Sequence, residues 1–167
     1  MTVTARSLLA INLDPKRQLQ TLWTHEQAEG QRYHRVASDF LPLDAATCRL
    51  LTVLGTECDA RLAWLESLAG SMDMLTPQCE QEHSGEAISL ADGDEPISAA
   101  RRQFSKTIAA AKRAQQFYEA MCEFNATLLL QPFLHGGLHQ KRAEHRLLLE
   151  HFETLRLSTS MPLSPTS

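Results

Sequence analysis

Apolar side chains recur along this chain with the period of an α-helix, and the pattern divides it into four amphipathic segments. Asp14 followed by Pro15 reads as an N-cap and a proline at the first helical position, where its missing N–H is not needed. The helix so announced is expected to run to about Phe40, with Leu19, Leu22, Trp23, Gly30, Tyr33, Ala37 and Phe40 on one side and Glu26 at the centre of that side. An acid therefore points at the core. Pro42 ends this segment, and Asp44 can cap a second helix whose stripe is Cys48, Leu51, Leu54, Cys58, Leu62, Leu65 and Ala69 before Gly70 stops it. Residues 71–97 break the pattern with Thr76-Pro77, Ser84-Gly85 and an acidic turn around Asp92-Gly93, and read as a long connection. Ser98 can cap a third helix carrying Phe104, Ile108, Ala111, Ala114, Tyr118, Met121, Cys122 and Leu129, which Pro132 ends. Gly136-Gly137 then makes a turn, and a fourth helix follows with Leu138, His145, Leu148, Leu149, Phe152 and Leu155 inward. The expected organisation is one helical domain over 14–157 with its crossover at 71–97, an N-terminal segment 1–13 and a disordered tail 158–167.

Two of these segments read as versions of one another. QAEGQRYHRVASDF (27–40) aligns without a gap on AKRAQQFYEAMCEF (111–124), pairing Gln31 with Gln115, Tyr33 with Phe117, Asp39 with Glu123 and Phe40 with Phe124. Each is followed by another amphipathic segment, so an internal repeat of helical hairpins is indicated. One hairpin cannot bury its apolar stripe alone, whereas two packed together close a four-helix core. With the hairpins side by side, a long crossover lets the second and third helices run parallel, which is the ferritin-like arrangement.

Composition narrows the function classes. At 167 residues the chain has the size of one domain and can bury a core without disulfides. Its 16 Lys+Arg against 20 Asp+Glu give a formal net charge of -4, which supplies no broad cationic field for nucleic-acid phosphates or anionic lipid. The run SLLAINL (7–13) is too short for a signal h-region and nothing later reaches membrane-spanning length, so a soluble, cytoplasmic protein with no membrane partner is expected. Cys48, Cys58, Cys79 and Cys122 show no Cys-x-x-Cys spacing, which suits a reducing compartment. There is no Gly-rich phosphate loop, Gly-x-Ser-x-Gly elbow or His-Glu-x-x-His string, and the Lys112-Arg113 and Lys141-Arg142 pairs read as solvated helix faces.

The phrase AAAKRAQQFYEAM (109–121) and its partner RAEHRLLLEHF (142–152), repeated in pattern after a long crossover, resemble the ferritin-like superfamily, rubrerythrin-type proteins in particular. The resemblance covers about residues 20–156 and implies a bacterial all-α protein, a ferritin-like four-helix bundle of two helical hairpins joined by a long crossover. It also implies a di-iron centre built from one carboxylate on one helix of each pair and a Glu-x-x-His on the other. Carried over residue by residue, the lone carboxylate positions become Gln27 and Ala111, and the Glu-x-x-His positions become Glu57 with Ala60 and Arg142 with His145. Glu57 aligns alternatively with Glu144. Only Glu57 and His145 keep a ligand type, and the methyl group of Ala111 cannot hold a metal.

A reduced constellation is left by the residues themselves. Glu26, Cys58 and His145 fall on the inner faces of three helices, where an acid, a thiolate and an imidazole could bind zinc or another soft ion. A Glu26–His145 hydrogen bond would satisfy both groups without any ion. His135 and His139 have four-residue spacing but flank the Gly136-Gly137 turn, Glu80-x-x-His83 stands in the polar connection, and His25, His34 and His151 face solvent. Beyond the main stripe, Leu50, Val53, Trp64 and Leu68 form a second apolar strip on the second helix, a partner surface unless the N-terminal segment or the crossover covers it. The expected function is therefore non-enzymatic, through a protein partner or homo-oligomer and without a cofactor. The competing expectation is an iron- or zinc-binding protein or oxidoreductase with a depleted ligand set around Glu26, Glu57, Cys58 and His145.

Overall fold

A computed structural model describes residues 14–73 and 96–160, and all its regular structure there is helical. Helix α1 spans Pro15–Phe40, α2 Ala45–Ser71, α3 Pro96–Phe124 and α4 Gln131–Ser160, with a short 3-10 turn at Leu128–Leu130 before α4. The first two starts follow from their caps. Asp14 accepts from the Lys16 N–H at 3.0 Å, and Asp44 accepts from the Ala46 N–H at 3.0 Å and the Thr47 N–H at 3.3 Å, which satisfies donors that have no partner inside a helix.

The expected ends are corrected at three places. Helix α2 does not stop at Gly70: it continues to Ser71, and Asp73 takes the left-handed conformation (φ 53°) beyond it. Pro132 does not end the third helix. The chain breaks at Asn125–Thr127, where the Asn125 side chain bonds both the N–H and the carbonyl of Thr127, and Pro132 lies in the first turn of α4, where its lost N–H costs no intrahelical bond. Gly136-Gly137 is likewise no turn but helix interior. A Cβ on Gly137 would lie 2.3 Å from Cε1 of Tyr118, so this glycine is a packing residue that admits a tyrosine ring. The expected crossover 71–97 and tail 158–167 also shorten, because Ser71 belongs to α2, α3 already begins at Pro96 so that Ser98 is helix interior and not its cap, and α4 runs to Ser160; residues 74–95, with Cys79 and His83, residues 1–13 and those beyond Ser160 lie outside the described residues.

Helix directions follow from which residues meet. Gln18 bonds Thr127, Glu26 bonds Tyr118 and Phe40 packs on Phe104, so α1 and α3 run antiparallel. Thr47 meets His151, Arg61 meets Glu144 and Trp64 packs on Phe133, which gives the same relation for α2 and α4. Two apolar clusters occupy the two ends of the bundle. One gathers Tyr33, Val36, Phe40, Leu51, Leu54, Phe104 and Leu148, the other Leu19, Leu22, Leu65, Met121, Leu130, Phe133 and Leu134. Along α1, α2 and α4 the stretch between the clusters is charged: Glu26, Arg61, Lys141 and Glu144, all buried.

Burial moves the sequence repeat by one residue. Leu19 with Phe104, Leu22 with Thr107, Glu26 with Ala111, Tyr33 with Tyr118 and Val36 with Met121 are buried in both copies, whereas Phe117 is only half-buried. The same holds for α2 and α4, where Leu51 pairs with Leu134, Cys58 with Lys141, Arg61 with Glu144 and Leu65 with Leu148. Two stripe assignments change accordingly. Leu129 is 56% exposed while Leu130 takes the interior place, and Leu149 is exposed beside the buried Leu148.

Candidate functional site

Glu26 of α1 sits at the middle of the bundle with both carboxylate oxygens used. Tyr118 donates its hydroxyl to Oε1 at 2.7 Å, and Arg61 donates Nε–H to Oε2 at 2.8 Å. Arg61 also reaches across to α4, donating from Nη2 to Glu144 Oε1 at 2.9 Å and from Nη1 to Gln140 Oε1 at 3.1 Å. Lys141 places Nζ 3.2 Å from Glu144 Oε2 and 3.6 Å from Glu26 Oε2. The Tyr33 hydroxyl donates to Glu144 Oε2 at 3.4 Å, and Cys58 Sγ lies 3.1 Å from Arg61 Nη2 and 3.7 Å from Lys141 Nζ. Two carboxylates and two cations thus form a closed, formally neutral layer. It is satisfied on every side, as burial of four charges requires.

The electrostatics follow from that closure. Burial alone would raise the Glu26 pKa, but the Lys141 and Arg61 charges and the hydrogen bonds from Arg61 and Tyr118 hold it below the ordinary carboxylate value. Burial pulls Lys141 down, and Glu26 and Glu144 more than offset this, so the ammonium is held above its usual range. Burial pushes the Cys58 thiol up to about 12, and Lys141 and Arg61 reverse only part of that. It is an unreactive thiol at neutral pH. Burial also raises Tyr118 well above the phenol value, with the Glu26 carboxylate adding to the effect. Each of these shifts moves its group away from neutral pH.

Beside the layer, His25 stacks on Phe117 with ring centroids 4.0 Å apart, and its Nε2 is buried without a hydrogen-bond partner. Desolvation lowers its pKa to about 4, against the opposing pull of Glu29 and Glu26. The sequence reading that put His25 in solvent is corrected here, because the one-residue shift of the repeat turns the α1 face toward Phe117.

The residues singled out from sequence divide. Glu26 and Cys58 are buried and belong to the layer. Glu57 and His145 stand one position outside it: Glu57 is exposed and accepts only from Gln140 Nε2 at 3.4 Å, and His145 is half-exposed beside Lys112. The Glu26–His145 bond is replaced by Glu26 with Arg61 and Tyr118. Among the described residues no group of three or more His, Cys, Asp or Glu side chains is arranged to hold a metal ion. His135 and His139 do share a face of the continuous α4, but both are exposed. Of the apolar strip, Leu50 and Leu68 pack on the two core clusters, while Val53 is 57% and Trp64 42% exposed. Trp64 packs edge-on against Phe133 at 5.1 Å and borders an open depression of about 350 Å³ with Glu57, Ala60, Gly136, His139 and Gln140, at whose floor Arg61 of the layer also lies.

Comparison with known protein families, with curated proteins and with solved structures finds no significant match. No helix among the described residues is long and apolar enough to cross a membrane.

The sequence places Glu144 only as an alternative ligand position and leaves Arg61 and Lys141 out of the interior, although the signal for both is present. Leu54, Cys58, Arg61 and Leu65 follow one another at four- and three-residue steps, as do Leu134, Leu138, Lys141 and Leu148 at the steps of a single helical face. Reading charge as exposure removed Arg61 in favour of Leu62, and reading Lys141-Arg142 as a solvated pair hid that the two residues point in different directions.

Proposed function

We propose that this chain is a ferritin-like bundle, two helical hairpins joined by a long crossover, in which an internal ion-pair layer stands where a dinuclear metal centre would be. It works without chemistry of its own, through a protein partner or a second copy of itself. The observation that carries this reading is the position of Arg61 and Lys141, whose cationic heads lie between the Glu26 and Glu144 carboxylates and occupy their oxygens. Counted from the paired tyrosines, Glu26 and Ala111 are the lone-carboxylate positions, and Cys58-x-x-Arg61 and Lys141-x-x-Glu144 are the two Glu-x-x-His positions. Fixed side-chain cations neutralise the acids there, so a metal ion would have to displace both of them from the carboxylate oxygens they occupy. The antiparallel relations of α1 with α3 and of α2 with α4 support the hairpin arrangement.

The interaction surface is the exposed part of α2, with Trp64 as anchor and Val53 about three turns away along the same outer face. Metal analysis of protein purified after iron and zinc supplementation, read with light scattering, tests the whole reading. Metal well below one ion per chain is expected, with an assembly mass that falls in Trp64→Ala. Stoichiometric metal that disappears in Glu26→Ala and in His145→Ala would instead establish a working metalloprotein.

A further inference from the structure

At the far end of the bundle, away from the ion-pair layer, the C-terminus of α1, the α1–α2 turn, the first turns of α3 and the last turns of α4 line a half-open cavity of about 210 Å³. Its walls are Phe40, Leu43, Ala100, Phe104, Phe152 and Leu155. The aromatic rings are already fixed by one another: Phe104 meets Phe40 edge-on at 5.8 Å and stacks with Phe152 at 5.9 Å. An aromatic guest could therefore add a further edge-to-face contact without disturbing the walls. An apolar protein cavity of about 150 Å³ stays dry and takes up benzene, so this one has room for a phenyl ring with a short linker.

Two charged residues stand at the rim, and they differ in availability. The Asp44 carboxylate is already engaged as the α2 cap, with Ala46, Thr47 and His151 around it. Arg101 lines the same cavity, and among the described residues no acid pairs with it. Aromatic walls with one unpaired guanidinium at the mouth are complementary to a ring that carries a carboxylate. From this arrangement we infer that the cavity is a binding site for a small aryl-alkanoate monoanion, its ring among Phe40, Phe104 and Phe152 and its carboxylate on Arg101. This site is independent of the proposed function, since it shares no residue with the layer or with the Trp64 surface.

Calorimetric or ligand-observed NMR titration of the full chain with 3-phenylpropionate, and with neutral 3-phenylpropanol as its uncharged counterpart, tests the inference. Saturable one-to-one binding of both is expected. Arg101→Gln weakens the acid by about fivefold or more and leaves the alcohol unchanged, and Ala100→Leu, which fills the cavity, abolishes both while the helical circular-dichroism spectrum is retained. Absence of saturable binding, as when the chain's own residues fill the cavity, overturns the proposal. So does acid binding that is indifferent to Arg101→Gln, or binding that survives in folded Ala100→Leu protein.

Discussion

Replacing Lys141 by methionine keeps the length of the side chain and removes one of the two cations from the layer. Glu26 and Glu144 then share Arg61 alone, and a formally neutral interior acquires one uncompensated negative charge. Removing one partner of a buried pair costs about 3–5 kcal/mol, a large share of the roughly 5–15 kcal/mol that holds a domain folded. For a chain of this length that is a fall in melting temperature of about 6–20 °C. The charge-balanced double variant Lys141→Met with Glu144→Gln leaves Glu26 against Arg61, one to one, and the new amide oxygen can still accept from Arg61 Nη2. The double variant is therefore expected to be more stable than Lys141→Met by about 1 kcal/mol or more, an inversion of additivity that only direct coupling produces. Urea unfolding followed by circular dichroism at neutral pH measures the single variants Lys141→Met and Glu144→Gln and the double variant. The sign with pH provides a second reading. In the native chain Glu26 has a depressed pKa, so its contribution is present above the unfolded value of 4.5 and is lost as pH falls through the folded value. In Lys141→Met Glu26 loses the largest of the charges that hold its pKa down, so its folded value rises and mild acidification from pH 7 should narrow the deficit relative to the native chain. Additive single-variant costs within about 0.5 kcal/mol, or a deficit that does not narrow with acid, would refute the account of the layer as a coupled unit.

Gly137→Ala should destabilise by about 1–3 kcal/mol in thermal unfolding despite the better helix propensity of alanine, because the new methyl meets the Tyr118 ring; Gly70→Ala, where a Cβ meets nothing within 4 Å, should be neutral or stabilising by up to about 1 kcal/mol. His25 titrates at about 4 in the fold against 6.5 when unfolded, so the unfolded chain binds the proton first and stability is lost as pH falls from 6.5 toward 4, by roughly 3 kcal/mol at most. His25→Phe should remove that slope, and an unchanged slope would place the acid sensitivity elsewhere. Cys58 should resist alkylation by iodoacetamide at pH 8 in the folded chain while the half-buried Cys48 and Cys122 react first, as counted by intact mass; early labelling at Cys58 would contradict a closed layer.

The helices were legible in the sequence wherever a cap or a clean stripe marks them. Asp14-Pro15 and Asp44 are capping residues in the structure, and Glu26 lies inward as its place among Leu19, Leu22 and Tyr33 requires. Failures cluster where one residue type serves two physical purposes. Glycine ends helices and also admits bulky neighbours, and at Gly137 only the Tyr118 ring decides between the two. A proline closes one helix or opens the next, and at Pro132 the Asn125–Thr127 bonds had already closed α3. The adjacent aromatics Phe117 and Tyr118 allow two registers of the repeat, and pairing Tyr33 with Phe117 puts the lone-carboxylate position on Gln27 where Glu26 is inside; on α2 and α4 the expected ligands miss the interior by one residue each, in opposite directions. Glu57 and His145 were named where Cys58 and Glu144 are inside. The cations were invisible for another reason: burial of Arg61 or Lys141 is unfavourable for each alone and becomes tolerable only when both acids are in place, which is a property of the assembled bundle and not of any window of sequence.

That mutual dependence gives the layer a role which its contribution to stability does not measure. The clusters on either side are apolar, leucines with aromatic rings and alanines in one and chiefly leucines in the other, and a helix slipped by one turn, about 5.4 Å, would still set apolar residues against apolar residues. The same slip carries Glu144 away from its Arg61 contact of 2.9 Å and Lys141 away from its Glu26 partner at 3.6 Å. Pairing within α4 survives it, because Lys141 and Glu144 travel together; pairing across to α1 and α2 does not. A slipped α4 thus leaves Arg61 with Glu26 alone and delivers an ion pair into one of the apolar clusters, each mismatch costing several kcal/mol in a medium that cannot hydrate it. The layer therefore discriminates between registers more strongly than it stabilises the one that forms, and it does so most at the α2–α4 contact, where the exposed Trp64 face is built.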